Sequence, residues 1–306
     1  MATSNVRPRI GIIGGSGLGN ALLAKAGGTA QDVETPFGKP SAPLVLSEWN
    51  GVPIAFLARH GIGHVFNPSQ VPYRANIYAL KAVGCRWILA SGAVGSLQEY
   101  IAPRDLVIPD QVIDKTQRRV GTFFDQAGPG GGGGAVHVEF AEPFCTQLRR
   151  VLLQAGKKIE LAGQKIHPTG TYVCMEGPAF STRAESLMHR QWGGDLIGMT
   201  AMPEAKLARE AEISYALVAL ATDYDCWKPH TPGQSKQALL GEIISHLQAA
   251  TDNALRLIEA ALPEVWARRD EVFDSHRALE LAIWSDKSKL DPAYIKRMEL
   301  LWGKYF

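Results

Sequence analysis

Two carboxylates stand close together at the end of an apolar segment. Residues 213–220 are mostly apolar and predict a buried strand, and Asp223, Asp225 and Trp227 follow it directly. Open α/β folds bind ligands beyond the carboxyl ends of their strands. A carboxyl group among aromatic and apolar neighbours can keep or regain its proton near neutral pH. This segment therefore predicts a general acid that protonates a leaving group.

A glycine cluster at residues 14–19 follows a predicted strand at residues 9–13. Its spacing does not form the dinucleotide-binding motif G-x-G-x-x-G, because the third glycine position holds Asn20 or Leu22. A nicotinamide dehydrogenase is therefore disfavoured. Backbone N–H groups and the Ser16 hydroxyl of such a loop can bind an anion. A tight turn that requires positive φ is the alternative interpretation.

A second strand end carries Arg59 and His60, directly after the predicted strand at residues 54–58. The planar guanidinium of arginine suits a phosphate, and the adjacent histidine adds another donor. The alternative is a surface ion pair beside a histidine whose hydrogen bonds are satisfied within the protein.

Two more strand ends offer hydrogen-bond donors. The apolar strand at residues 87–90 runs into a predicted loop that begins with Gly92 and Ala93, and Thr200 follows the strand at residues 195–199. A plain turn and a lone hydroxyl are the alternatives. Since the carboxyl ends of parallel strands meet at one edge of a sheet, we expect these groups and the two aspartates to line a single cleft.

The elements that must position these groups alternate between apolar strands and helices, which predicts a mainly parallel, buried sheet. We expect a single α/β domain with a central mixed β-sheet flanked by helices. Ser69 and Ser181 are predicted to cap two of the helices. Phe180 and Met199 lie near the predicted cleft edge, where they could sandwich a flat base, although such residues are more often core.

The composition of the chain limits the remaining classes of function and location. The chain has 306 residues, 46% of them hydrophobic, and a net charge of +2, so nothing indicates binding to nucleic acid or to a membrane surface. The four cysteines form no C-x-x-C pair, which disfavours a zinc or redox site. The polar N-terminus shows no secretory signal, and no apolar stretch approaches about 18 residues. We therefore expect a cytoplasmic protein with reduced thiols.

The C-terminal part differs in composition from the rest of the chain. Residues 1–262 are expected to form the catalytic domain, and residues 263–306, which are charged and rich in tryptophan, a helical extension. A helix beginning at Asp291 would carry an apolar stripe of Ile295, Met298 and Leu301 or Trp302, which must dock on its own core or on a neighbouring subunit. The glycine-rich residues 128–134 predict a flexible surface loop.

Five short motifs resemble one enzyme family. In order they are residues 11–17 (Gly-Ile-Ile-Gly-Gly-Ser-Gly), 58–61 (Ala-Arg-His-Gly), 175–181 (Met-Glu-Gly-Pro-Ala-Phe-Ser), 198–200 (Gly-Met-Thr) and 221–227 (Ala-Thr-Asp-Tyr-Asp-Cys-Trp). Together they are similar to the trimeric purine nucleoside phosphorylases, specifically the 5′-methylthioadenosine phosphorylase branch. The resemblance covers residues 9–262.

The resemblance implies a homotrimer of phosphorylase/hydrolase-like fold in which inorganic phosphate, as co-substrate, attacks the anomeric carbon of 5′-methylthioadenosine and adenine leaves. No metal and no organic cofactor is implied. Several roles carry over. Phosphate would be held by Ser16, Arg59, His60, Thr200 and the backbone around Gly92 and Ala93. Met199 would contact the ribose, Phe180 would contact the base, and Ser181 would influence base selection; Asp223 would donate to purine N7, and Asp225 would recognise the 6-amino group. His64 and His137 resemble positions that face the adjacent subunit's site; the alternative is that they are surface histidines.

Base choice separates this prediction from its rivals. The family's 6-oxopurine enzymes generally carry asparagine where Asp223 stands, so two aspartates favour adenine. Phosphorolysis of methylthioinosine or of 6-oxopurine nucleosides is the runner-up, and a non-catalytic nucleoside-binding protein is the rival from another class. The motifs leave the 5′ pocket unassigned, because Lys236 stands among polar residues where the family's apolar pocket residues are expected.

Overall fold

The computed structural model describes residues 6–15, 18, 27–126, 133–161, 163–229, 233 and 235–306. Ser16 and most of the glycine-rich segment at 128–134 lie outside these residues. Among the described residues, no helix combines the length and apolar character needed to cross a bilayer.

A single mixed β-sheet forms the centre of the described chain. The strands are β1 (Arg9–Gly14), β2 (Thr29–Gln31), β3 (Leu44–Trp49), β4 (Val52–Ala58), β5 (Cys85–Ser96), β6 (Leu106–Val107), β7 (Gln111–Lys115), β8 (Ile166–His167), β9 (Thr171–Met175), β10 (Leu196–Gly198) and β11 (Ser214–Tyr224). Their order is β2-β3-β4-β1-β5-β10-β9-β7, and β11 pairs with the other side of β5. Parallel pairs join β1 to β4 and β5, β5 to β11, and β9 to β7 and β10, whereas β2–β3, β3–β4, β5–β10 and β6–β11 are antiparallel.

Helices cover both faces of the sheet. Successive strand side chains point to opposite faces, so Ile12 and Ile13 of β1 enter different hydrophobic cores. The helices are α1 (Tyr73–Ala82), α2 (Thr146–Gly156), α3 (Arg183–Gln191), α4 (Ala201–Glu210), α5 (Lys236–Ala267), α6 (Pro292–Arg297) and α7 (Glu299–Trp302). Helices α1 and α4 pack in the core that contains Ile13, and α2 and α5 pack in the other core. The expected mixed sheet flanked by helices is confirmed.

Two predicted helix caps are wrong. Pro72, which makes no side-chain cap, precedes α1, and the Ser69 hydroxyl instead donates to the carboxylate of Glu176. Helix α3 is capped by Thr182 rather than Ser181, through a capping box with Glu185. In that motif the two residues satisfy each other's backbone N–H groups, so the threonine that has glutamate three positions later is the better cap.

The C-terminal residues dock on the chain's own core. Of the predicted stripe, Met298, Leu301 and Trp302 are buried in the core that contains α1 and α4, and Ile295 packs against it partly buried. The predicted single helix is divided at Met298 into α6 and α7, and Tyr294, which the prediction did not include, is also buried. Glu212 holds the last turn through Lys304 Nζ at 2.6 Å and the Tyr305 hydroxyl at 2.5 Å. Helix α5 passes without interruption through Pro263, so the expected boundary between residues 262 and 263 lies inside a helix.

Candidate active site

Strand β5 is longer than predicted, and this changes the position of Gly92 and Ala93. They lie within the strand and pair with β11, so the predicted loop at residues 92–96 is wrong. On its other side β5 pairs with β1 as far as Ala90 and with β10 from Gly95 onward. Because β1 and β10 leave a gap between these positions, Gly92 and Ala93 face a break in the sheet.

Three strand ends meet β5 at this gap. A Cβ on Gly15 would lie 2.9 Å from the Ser91 carbonyl oxygen and 3.0 Å from Nη1 of Arg59, so only glycine permits this approach. A Cβ on Gly92 would lie 3.5 Å from the Thr200 hydroxyl. The ends of β1, β4 and β10 therefore surround one point on β5. Of the predicted phosphate-binding residues, the structure brings together Arg59, Gly92 and Thr200, with Ala93 and His60 adjacent in the chain.

Arg59 is fully buried, which excludes a surface ion pair. Its Nε and Nη2 donate to the two carboxylate oxygens of Glu204, each at 2.7 Å, and Nη1 donates to the Ser91 carbonyl at 2.7 Å. Burial alone would lower the pKa of Arg59, but the Glu204 carboxylate raises it above its ordinary value. An arginine has five N–H groups, so these bonds leave a second N–H on Nη1, the atom that lies beside Gly15.

The ring of His60 is nearly buried and uncharged at neutral pH. Nδ1 lies 2.8 Å from the Phe66 carbonyl, and the ring stacks on His64 with centroids 4.3 Å apart. Burial and the charge of Arg59 lower the pKa of His60 to about 4. A carbonyl can only accept, so Nδ1 carries the proton and Nε2 is an acceptor. The expectation that this ring adds another donor to a bound phosphate stays a prediction.

The paired aspartates lie further along β5 and β11. Ala221 pairs with Val94 and Asp223 with Gly95, so Thr222 is the extra residue of a β-bulge. Bulges redirect side chains at the rims of sheets. The Thr222 hydroxyl lies 2.6 Å from Oδ1 of Asp223, to which it can donate. Gly95 is three residues beyond Gly92, so the aspartate end lies about 10 Å from the anion end along one strand.

Asp225 contains an unsatisfied acceptor. The residue is 9% exposed, and its Oδ2 has no hydrogen-bond partner among the described residues. Its backbone N–H donates to the Ser96 carbonyl, which also accepts from the Trp227 indole at 2.8 Å. A buried carboxylate oxygen without a donor costs free energy, so this atom is a candidate acceptor for a ligand N–H.

The apolar candidates are linked to both ends, because Met199 precedes Thr200 and Phe180 precedes Ser181 in the chain. Gly177 has φ of 68°, and a Cβ there would approach Sδ of Met199 to 2.6 Å, so the two residues are in close contact. Phe180 is 85% exposed, which leaves its ring available to a flat ligand. The Ser181 carbonyl accepts from Sγ of Cys226 at 3.3 Å, which joins this segment to the aspartates.

The comparison with known proteins decides the family. Residues 9–263, which make up most of the chain, match the family model of the phosphorylase superfamily. The chain belongs to the phosphorylase superfamily.

Similar members of this superfamily carry specific names. An S-methyl-5′-thioadenosine phosphorylase of Synechocystis sp. is 45% identical over 303 residues, which cover 98% of this chain and 89% of that protein. A crystal structure of methylthioadenosine phosphorylase from an antarctic soil metagenomic library has a TM-score of 0.87 at 45% identity, covering 97% of this chain and 99% of that one. A mutant adenosine/methylthioadenosine phosphorylase of Schistosoma mansoni, in complex with methylthioadenosine, has a TM-score of 0.81 at 35% identity, covering 91% and 99%.

The two histidines predicted to face a neighbouring subunit are both exposed. His64 has φ of 59° and is exposed beside exposed Ile62 and Val65. His137 is exposed and its ring packs on Trp284, with centroids 4.7 Å apart. Their predicted role at a neighbouring subunit stays a prediction.

Sequence reasoning missed Arg119, which organises the side of the cleft that is predicted to bind the base. Its side chain is 1% exposed, and Nη1 donates to the carbonyls of Met199 at 2.5 Å and Met202 at 2.6 Å. Nη2 donates to the Glu176 carbonyl at 2.6 Å. Arg119 therefore ties the ends of β9 and β10 together. No sequence motif marks Arg119, because two consecutive arginines are typical of a charged surface, and Arg118 is indeed exposed.

Arg119→Lys is expected to raise the KM for the nucleoside roughly tenfold or more, because one ammonium group cannot replace a fork that holds three carbonyls. The KM for phosphate is expected to change less. Steady-state kinetics with each substrate varied in turn measure both constants. Arg118→Lys is the matched control. Equal increases in the two KM values would contradict a role confined to the base-binding side.

Gly15→Ala is expected to raise the KM for phosphate by roughly tenfold, because the new methyl group must displace Arg59 or the β5 backbone. The control is Gly241→Ala, where a Cβ on α5 meets nothing within 4 Å. That variant is expected to keep wild-type kinetics. An unchanged phosphate KM in Gly15→Ala would show that Gly15 does not border the anion site.

Proposed function

We propose that the protein catalyses phosphorolysis of 5′-methylthioadenosine to adenine and 5-methylthioribose 1-phosphate, in purine and methionine salvage. The observation that carries this proposal is one strand, β5, with anion-binding groups at Gly92 and a carboxylate pair beside Gly95. A nucleoside and a phosphate need these two kinds of group at such a separation. Similarity to named methylthioadenosine phosphorylases over nearly the whole chain supports the same activity.

The reaction breaks the C1′–N9 bond and forms a bond from C1′ to a phosphate oxygen. The sugar passes through an oxocarbenium-like state, so catalysis needs an anion placed under the sugar and a neutralised leaving base. Arg59, Thr200, Ser16 and the backbone at Gly92 and Ala93 hold the phosphate. Asp223 gives its proton to purine N7 as the electron pair moves into the ring, and solvent restores that proton. Met199 contacts the ribose and Phe180 the base.

Asp225 selects the base. Its unpartnered Oδ2 accepts a hydrogen bond from the 6-amino group of adenine, whereas a 6-oxo group would present a lone pair to it. Ser181 lies in the segment joined to Cys226 and modulates this choice. Phosphorolysis of methylthioinosine or other 6-oxopurine nucleosides is the second candidate, and it requires Asp225 to be protonated or displaced.

Purified protein given methylthioadenosine, methylthioinosine, adenosine and inosine, each with and without phosphate, tests the function. We expect phosphate-dependent release of adenine, fastest from methylthioadenosine. Faster release of hypoxanthine would overturn the base assignment. Cleavage without phosphate would indicate a hydrolase, and binding without cleavage a nucleoside-binding protein.

Phosphate is the co-substrate in this proposal, and no further cofactor is assigned. Among the described residues, no group of three or more His, Cys, Asp or Glu side chains is arranged to hold a metal ion.

We further propose a cytoplasmic homotrimer in which His64 and His137 face the neighbouring subunit's site. Exposed apolar side chains beside both histidines support an interface there: Ile62, Val65, Leu281 and Trp284. Sedimentation at equilibrium distinguishes a trimer from a monomer or dimer.

A further inference from the structure

A buried tyrosine of β9 reaches past the end of the neighbouring strand β10. Tyr172 is 1% exposed, and it lies so close to Gly198 that a Cβ on this glycine would overlap the tyrosine hydroxyl. The hydroxyl oxygen accepts the backbone N–H of Thr200 at 3.4 Å. Because Gly198 has no side chain, the phenol of one strand can hold the backbone that follows the other.

Thr200 precedes helix α4, but its hydroxyl does not cap that helix. A threonine in this position usually accepts a backbone N–H of the first turn with its own side chain. Met202 has an extended backbone, with φ of −114° and ψ of 137°, so Thr200 is separated from the regular turns of α4. The Thr200 hydroxyl instead lies 3.5 Å from the position of a Cβ on Gly92, at the gap in the sheet.

Side chains of β9 take the backbone N–H groups at the start of α4. The Tyr172 hydroxyl accepts from Thr200, and Sγ of Cys174 accepts from Met202 at 3.4 Å. Tyr172 and Cys174 are two residues apart on one strand, so they lie on the same face of it. Two strand side chains therefore do the work of a helix cap, and the Thr200 side chain is not needed for it.

The position of Thr200 depends on this support. Strand β10 pairs with β9 only as far as Gly198, so Thr200 lies beyond the ladder of backbone hydrogen bonds between the two strands. Its N–H has the Tyr172 hydroxyl as its acceptor. A binding group that is misplaced by about 1 Å loses much of its effect on a ligand, so a hydroxyl that fixes Thr200 also controls what Thr200 can bind.

We propose that Tyr172 is a positioning residue of the anion site, whose hydroxyl fixes Thr200 so that the Thr200 hydroxyl can donate to bound phosphate beside Gly92. This inference rests on the proposed phosphorolysis. It adds a residue that lies outside the five motifs of the family resemblance. Tyr172 is assigned no contact with the phosphate and acts through Thr200.

The first test is Tyr172→Phe, which removes the hydroxyl and keeps the ring. We expect the KM for phosphate to rise about tenfold, because a buried N–H loses its acceptor and Thr200 loses its fixed position. The KM for methylthioadenosine should change at most about twofold. The matched control is Tyr294→Phe, which removes the hydroxyl of another buried tyrosine, one without a hydrogen-bond partner among the described residues. It should leave both constants unchanged.

The second test is a double-mutant cycle with Thr200→Ala, which removes the hydroxyl of Thr200 and keeps its N–H. In this background Tyr172→Phe should change the KM for phosphate by less than about twofold, since no hydroxyl remains to be positioned. A general loss of structural integrity would instead show its full effect in both backgrounds. Where Tyr172→Phe does not fold, Gly198→Ala replaces it, because the new methyl group displaces the tyrosine hydroxyl.

Three results would overturn the inference. They are an unchanged KM for phosphate in Tyr172→Phe, equal increases in the KM values of both substrates, and a full effect that persists in the Thr200→Ala background. Failure of the proposed function looks different, since it shows as nucleoside cleavage that needs no phosphate or as no cleavage at all. In that case calorimetric titration with inorganic phosphate compares the affinities of the wild type and the same variants.

Discussion

Asp223→Asn is expected to slow phosphorolysis of 5′-methylthioadenosine by about 10²–10⁴-fold, the usual contribution of a general acid. The asparagine amide has nearly the same shape and can donate a hydrogen bond to N7, but it cannot transfer a proton to the leaving base. We expect kcat to fall much more than the KM for the nucleoside rises, because the hydrogen bond survives and the proton transfer does not.

The measurement is the steady-state rate on methylthioadenosine and on methylthioinosine. Asp252→Asn, an exposed substitution of the same type on α5, is the matched control and should keep the wild-type rate. The loss in Asp223→Asn should be larger for the 6-aminopurine than for the 6-oxopurine. Turnover within a few-fold of wild type would remove Asp223 from the chemistry.

Glu204→Gln is expected to lower the free energy of unfolding by about 3–5 kcal/mol, because it leaves the buried guanidinium of Arg59 without its carboxylate. Glu204 also accepts from the Tyr215 hydroxyl at 2.8 Å, so the substitution disturbs a three-residue network. Since Glu204 fixes the Arg59 fork beside Gly15, the KM for phosphate should rise in the same variant.

Urea denaturation of the wild type and the variant measures the difference in stability. The matched control is Glu48→Gln, which breaks an ion pair with Arg7 at the same distance, 2.7 Å, but with both side chains more than half exposed. That change should cost no more than about 1 kcal/mol. Equal losses of unfolding free energy in the two variants would mean that burial does not increase the contribution of the Arg59–Glu204 pair to stability.

The strand ends were predictable because their residues are consecutive in the chain. Arg59 directly follows one apolar strand, and Asp223 stands near the end of another. Because ligands bind beyond the carboxyl ends of such strands, polar residues at these positions identify the edge of the cleft. Arg119 was not predictable in this way. Its partners are peptide carbonyls of Met199, Met202 and Glu176, and backbone carbonyls leave no trace in the residue types of a sequence.

Residue types and order, by themselves, determined the α/β class, the carboxylate pair at Asp223 and Asp225, and the likeness to the phosphorylases. Only the tertiary structure decided that β5 continues to Ser96, that Arg59 is buried against Glu204, and that Nδ1 of His60 donates to the Phe66 carbonyl. The reason is physical. Periodicity reports which local segments bury apolar side chains, whereas charge state, hydrogen-bond direction and strand length at the site depend on neighbours from distant parts of the chain.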